Sequence, residues 1–292
     1  MRPLACTATS MEVDVSTSSG PPEAVREPSA PSDELPTQPL NQPLNQPPNQ
    51  PLGQAAVRTE RRTHRWGLGA FLLAEAVFLG TSVLLYLPFA GGPPNQPLPL
   101  AAVLLVLTVP SLLAAGVAVL ATVVRGNGPV RDLRLQFKAE DLVIGASFGL
   151  GGLILTIPAA FIWAGVVGPQ QATSAVGEVF AGRTVPVPLA VLIFLAVWLL
   201  APFCEEILYR GLLWGAVERL GAGRWLTFGV TTVVFALAHL EFSRTPLLLV
   251  VAIPIGLARM VSGRLPAAII AHQINNLLPA VGLLLMLTGV PT

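Results

Sequence analysis

Between Gly67 and Val124 the chain carries a single charged side chain, Glu75. The run 184–204 carries none, and 245–292 carries only Arg259 and Arg264. A soluble globular domain has about 25% charged residues, whereas this chain has 11%, with 53% hydrophobic. A soluble surface cannot be covered that sparsely, so a soluble single-domain enzyme is excluded. The chain is a polytopic integral membrane protein. Windows of about 17–25 mostly apolar residues mark candidate spans. They fall at 67–90, 98–124, 142–166 and 185–204, and then at 205–222, 225–242, 246–262 and 265–290, where polar residues sit at mid-depth.

Residues 1–66 have a different composition. Ser, Thr, Pro, Glu and Gln dominate, and 39–54 repeats an NQP unit. Such a segment cannot bury enough apolar area to offset its ordering entropy, so a disordered Pro/Gln-rich tail is expected. Arg58, Arg61, Arg62 and Arg65 close it directly before the first span and mark a cytoplasmic N-terminus. The loop 125–141, with Arg125, Arg131, Arg134 and Lys138, returns to the same side after two crossings. A net charge of +1 without a basic stripe gives no reason to expect nucleic acid. Cys6 and Cys204 suggest neither a disulfide framework nor a zinc ribbon.

Polar groups in hydrocarbon are expensive and tend to be functional, which directs attention to the second half, the transmembrane domain of 67–290 being richest in them over 185–290. Glu205, Glu206 and Arg210 come first, then His239, then His272 and Asn276. On a helix Glu206 and Arg210 are four apart and suit an ion pair. Glu205 is rotated by about 100° from Glu206 and is free to titrate. His272 and Asn276 share one face. If 205–222 and 225–242 form a helical hairpin, rises of about 26 Å and about 22 Å bring Glu205 and His239 to similar depth.

These groups allow hydrolysis. A desolvated carboxylate can take a proton from water attacking a peptide carbonyl. Histidine and asparagine donors can stabilise the oxyanion, a contribution of about 3–4 kcal/mol per donor. Alternatively, Glu205, His239 and His272 form a metal set of the kind that binds a catalytic divalent ion such as zinc with one open position. Residue types leave both open, and with them whether any cofactor is required. Asp14, Asp33, Asp132 and Asp141 all lie outside the span interiors, so a membrane aspartyl dyad is excluded. Gly145-Ala146-Ser147-Phe148-Gly149 spells a nucleophile-elbow string, but that motif needs a strand-to-helix turn and here falls inside an apolar helix. Cys204 has no histidine neighbour in sequence and sits in apolar surroundings, which does not favour a thiolate nucleophile.

At these residues the chain resembles the CPBP family of intramembrane proteases, also called the Abi or CAAX-protease family. Its pattern is Glu-Glu-x-x-x-Arg, then Phe-x-x-x-His, then His-x-x-x-Asn. Glu205, Glu206 and Arg210 match the first, Phe235 and His239 the second, His272 and Asn276 the third. The resemblance covers roughly 185–290. It implies an all-helical membrane fold of about eight helices, with the site in a cavity opening to the cytosolic side. Glu205 would then be the base that activates water, His239 would orient that water, and His272 with Asn276 would stabilise the oxyanion. Glu206 and Arg210 would be the supporting pair. The family has been discussed both as glutamate-dependent and as metal-dependent.

Two functions follow as expectations. One is an intramembrane endopeptidase of the cell membrane, whose partners are membrane lipid and a peptide or protein substrate. The other is a non-catalytic immunity, scaffold or transport protein that uses the same polar groups structurally. The complete set Glu205, His239, His272 and Asn276 favours the enzyme. Counting four crossings before Glu205 puts Arg219 and Arg224 on the side opposite the loop 125–141, against the positive-inside tendency.

Overall fold

The computed structural model describes residues 64–91 and 98–290, and all the regular elements among them are helices. The expected disordered tail falls, except for His64, Arg65 and Trp66, outside the described residues. Seven main helices follow: α1 (Leu68–Phe89), α2 (Leu100–Arg125), α3 (Ala139–Val167), α4 (Val187–Arg219), α5 (Arg224–Ala238), α6 (Thr245–Ser262) and α7 (Leu265–Leu287). All but α5 are long and apolar enough to cross a membrane. In lipid a helix is one of the few forms that satisfies its own backbone polar groups, and many large apolar side chains accordingly face outward, Ile154 and Phe161 among them.

The expectation of about eight spans is corrected at α4. Segments 185–204 and 205–222, expected as two separate spans, are one helix, Val187–Arg219, of 33 residues. Nothing at Cys204-Glu205 breaks a helix. Pro202 stands inside it, where its ring would crowd the carbonyl four residues earlier and its missing N–H leaves a gap. The chain widens into π-helix at Ala196–Leu200, just before that proline, and again at Ile207–Leu213. Hydropathy reports composition and not continuity, so the polar pair looked like a boundary. The expected span 225–242 is also shorter than a crossing, because α5 has 15 residues and stops at His239.

This changes which loops share an end of the bundle. Arg65 N–H donates to the Arg125 carbonyl at 2.6 Å, and Trp66 Nε1 to Asp132 at 2.8 Å. Gly126 lies under that indole, where a Cβ would meet Asp132 Oδ2 at 1.9 Å, so only glycine fits. Arg134 pairs with Glu218 at 2.7 Å, and Arg219 donates to the Trp66 carbonyl. Arg264 reaches Asp141, the buried first-turn residue of α3, at 2.9 Å, and this contact holds its guanidinium above the ordinary arginine range. Arg219 and Arg224 therefore lie on the same end as the loop 125–141, not opposite it. The other end holds the loops 168–186 and 239–244, tied by Trp163 Nε1 to the Ser243 carbonyl (2.8 Å) and by Val185 N–H to the Leu287 carbonyl (2.9 Å).

Helix α3 packs on α7 through Gly145 and Gly149. A Cβ on Gly145 would stand 2.7 Å from Ile270 Cβ, and one on Gly149 2.8 Å from Ile274 Cβ. The Gly-Ala-Ser-Phe-Gly string is a close-packing face of the small-residue kind common between membrane helices.

Candidate active site

The stretch of α4 between its π-helical turns carries Glu205 and Glu206, and the second of those turns carries Arg210. Glu206 and Arg210 face inward, form an ion pair at 2.9 Å and are fully buried. The arginine's other contacts lock it in place. Its Nη2 donates to the Ala252 carbonyl of α6 at 3.3 Å, and its guanidinium lies 4.4 Å from the Phe235 ring centroid on α5. Arg259 on α6 donates Nε–H to the Arg210 carbonyl at 3.0 Å. A buried charge is tolerable only when paired and hydrogen-bonded in this way.

The same Glu206 oxygen receives a second donor. His272 on α7 directs Nδ1 at Glu206 Oε1, 2.9 Å away. Because that nitrogen donates, the opposite one, Nε2, faces the cavity, 3.8 Å from Glu205 Oε2. Glu205 itself points away from the ion pair and keeps 28% of its side chain exposed.

His239 caps the end of α5. Its Nδ1 donates to the carbonyl of Phe235, one turn earlier, at 2.7 Å, so its Nε2 is also free. Leu240, immediately after, adopts φ 56°, a left-handed conformation that costs a bulky residue about 1–2 kcal/mol. Strain of this kind concentrates at functional sites. Here it ends the helix at the histidine and turns the chain toward Glu241.

Glu205, His239, His272 and Asn276 line one cavity of about 540 Å³. A smaller recess of about 190 Å³, walled by Phe78 and Leu79 of α1 and by Ala238 and Leu240, reaches Glu205 and His239 from the side. The Asn276 amide lies 3.5 Å from the Val197 carbonyl in the first π stretch, a weak bond that a better acceptor could replace. Its neighbour Asn275 is structural, since Thr156 Oγ1 donates to its side chain at 3.2 Å. His64, the remaining histidine, stacks on Trp66 far from the site.

The donor types at Glu205, His239 and His272 suit zinc chemically, and each histidine is oriented by an acceptor on its other nitrogen as metal ligands commonly are. Their arrangement does not fit: among the described residues no three His, Cys, Asp or Glu side chains converge closely enough to hold an ion. No step below is routed through a metal.

One residue was missed at the sequence level. Glu75, on α1, lies one turn from Phe71, which packs edge-on against Tyr209, and one turn from Phe78 and Leu79 in the cavity wall. It is within electrostatic reach of Tyr209, His239 and Glu205, and its Oε1 is buried without a hydrogen-bond partner. The signal was available, because a lone carboxylate in a long apolar stretch is a functional candidate.

A family model described as Rce1-like, type II CAAX prenyl endopeptidase Rce1-like, matches residues 187–278. That is about a third of the chain, and it contains α4, α5, α6 and both histidines of the cavity. No curated protein and no solved structure matches the chain.

Proposed function

We propose that the protein is an intramembrane endopeptidase in which Glu205 activates water. The observation that carries this reading is the meeting of a partly exposed carboxylate with two histidine Nε2 atoms and a carboxamide in one cavity. The CAAX-protease match over 187–278 supports the reaction class.

Glu205 takes a proton from water as its oxygen attacks the peptide carbonyl. The tetrahedral oxyanion is met by Asn276 Nδ2 and, when protonated, by His272 Nε2. His239 Nε2 accepts the second hydrogen of the water and fixes its direction. Glu205 then returns its proton to the amide nitrogen as the C–N bond breaks. Glu206 and Arg210 hold His272 and touch no reacting atom. The protein sits in the cell membrane with its N-terminus in the cytoplasm, as its arginine-rich flank favours.

Glu205→Gln keeps the shape of the side chain and removes the base. In reconstituted vesicles, peptide cleavage should fall by about 10²–10⁴ with folding unchanged. Turnover within tenfold of wild type would overturn the assignment.

A further inference from the structure

The counting of eight spans and the family resemblance both led to a cavity that opens to the cytosol. Two features of the structure oppose that. First, lysine and arginine segregate by end. Among the described residues, the end holding Arg65, the loop 125–141, the turn 219–224 and Arg264 carries nearly all the basic residues outside the helix interiors, and only Arg183 and Arg244 lie at the other. An excess of Lys and Arg in short loops marks the cytoplasmic side. Second, the cavity runs away from that end. From Glu205 and His272 it extends to Ser174, Gly177, Glu241 and Arg244, all in the loops of the arginine-poor end. By helix rise, His272 lies about 12 Å from Arg264 and about 22 Å from Leu287, so the site is the floor of a deep well.

From these we infer that the catalytic cavity opens on the non-cytoplasmic side, and that its substrates are polypeptide segments presented from there. What enters rests on the proteolytic reading above. Val106, Leu248, Val251, Leu283 and Met286 make the walls apolar. A helical segment would keep its carbonyls hydrogen-bonded internally, out of reach of Glu205, so the occupant is an apolar stretch in extended form. A cytoplasmic prenylated C-terminus would meet the closed end of the bundle.

Single cysteines in a background lacking Cys6 and Cys204 test the sidedness without any catalysis. Glu178→Cys and Arg224→Cys replace exposed residues at opposite ends. In intact cells a membrane-impermeant maleimide should modify Glu178→Cys, and Arg224→Cys only after permeabilisation. The reverse pattern, or modification of both from one face, would overturn the inference. A quenched fluorogenic apolar peptide then tests access in sealed right-side-out vesicles. Cleavage is expected when the peptide is outside, and cleavage only of enclosed peptide would refute the inference while leaving the protease reading intact. Absence of cleavage even in detergent would count against the protease reading, with the cysteine pattern still deciding the orientation.

Discussion

His272 donates Nδ1–H to Glu206 across a gap of 2.9 Å, joining α7 to α4 through residues 66 positions apart. Glu206 is therefore the hinge of a chain that runs from Arg210 through Glu206 to His272, whose other nitrogen faces Glu205. In the mechanism proposed above, the carboxylate beside the base does not act on substrate but sets the direction of His272.

Breaking this chain should cost stability first. Glu206→Gln leaves the Arg210 guanidinium buried without its counter-charge, and Arg210→Met leaves Glu206 in the same position. Loss of one partner of a buried pair costs about 3–5 kcal/mol. Thermal unfolding in detergent should show a large drop in Tm for each variant, and unchanged melting would contradict the role of the pair.

The α3 contact predicts a contrast between neighbouring glycines. A Cβ on Gly152 would stand 2.3 Å from Asn275 Nδ2 and 3.0 Å from Pro254 Cγ, while Gly151 has open space. Gly152→Ala should destabilise by about 1–3 kcal/mol, as overpacking does. Gly151→Ala should be neutral or slightly stabilising. Equal melting of the two variants would show that the helices do not approach as closely as described.

Glu75→Gln should alter catalysis without unfolding the bundle. The carboxylate acts on His239 and Glu205 through the field and not by contact, so the expected change in kcat/KM is about tenfold, or about 1.4 kcal/mol. That is well short of the loss expected for Glu205→Gln. A variant with wild-type kinetics at every pH would remove Glu75 from the site.

Residues 1–57 should be dispensable. Among the described residues, every one lining the cavity comes from Phe78 or later. A chain beginning at Arg58 should insert and cleave at the wild-type rate, measured in the same vesicles. A loss of activity with normal insertion would assign the tail a part in substrate capture.

What the sequence determined by itself was local or compositional. Scarcity of charge declared a membrane protein because hydrocarbon excludes charges wherever the chain later folds. Glu206 and Arg210 were legible as a pair because an i,i+4 relation is a property of any helix. The three motifs around Glu205, His239 and His272 were readable as a set because polar side chains stand out against apolar spans. The tertiary structure alone decided the rest. Whether Cys204-Glu205 is a turn or the middle of a helix depends on π-helical widening around Pro202, and hydropathy cannot register that. That one continuity moved Arg219 and Arg224 to the other end of the bundle and with them the expected side of the cavity. The bond from His272 to Glu206 and the approach of Glu75 to the site join residues far apart in sequence. Such contacts exist only once the packing of α1, α4 and α7 has fixed their distances.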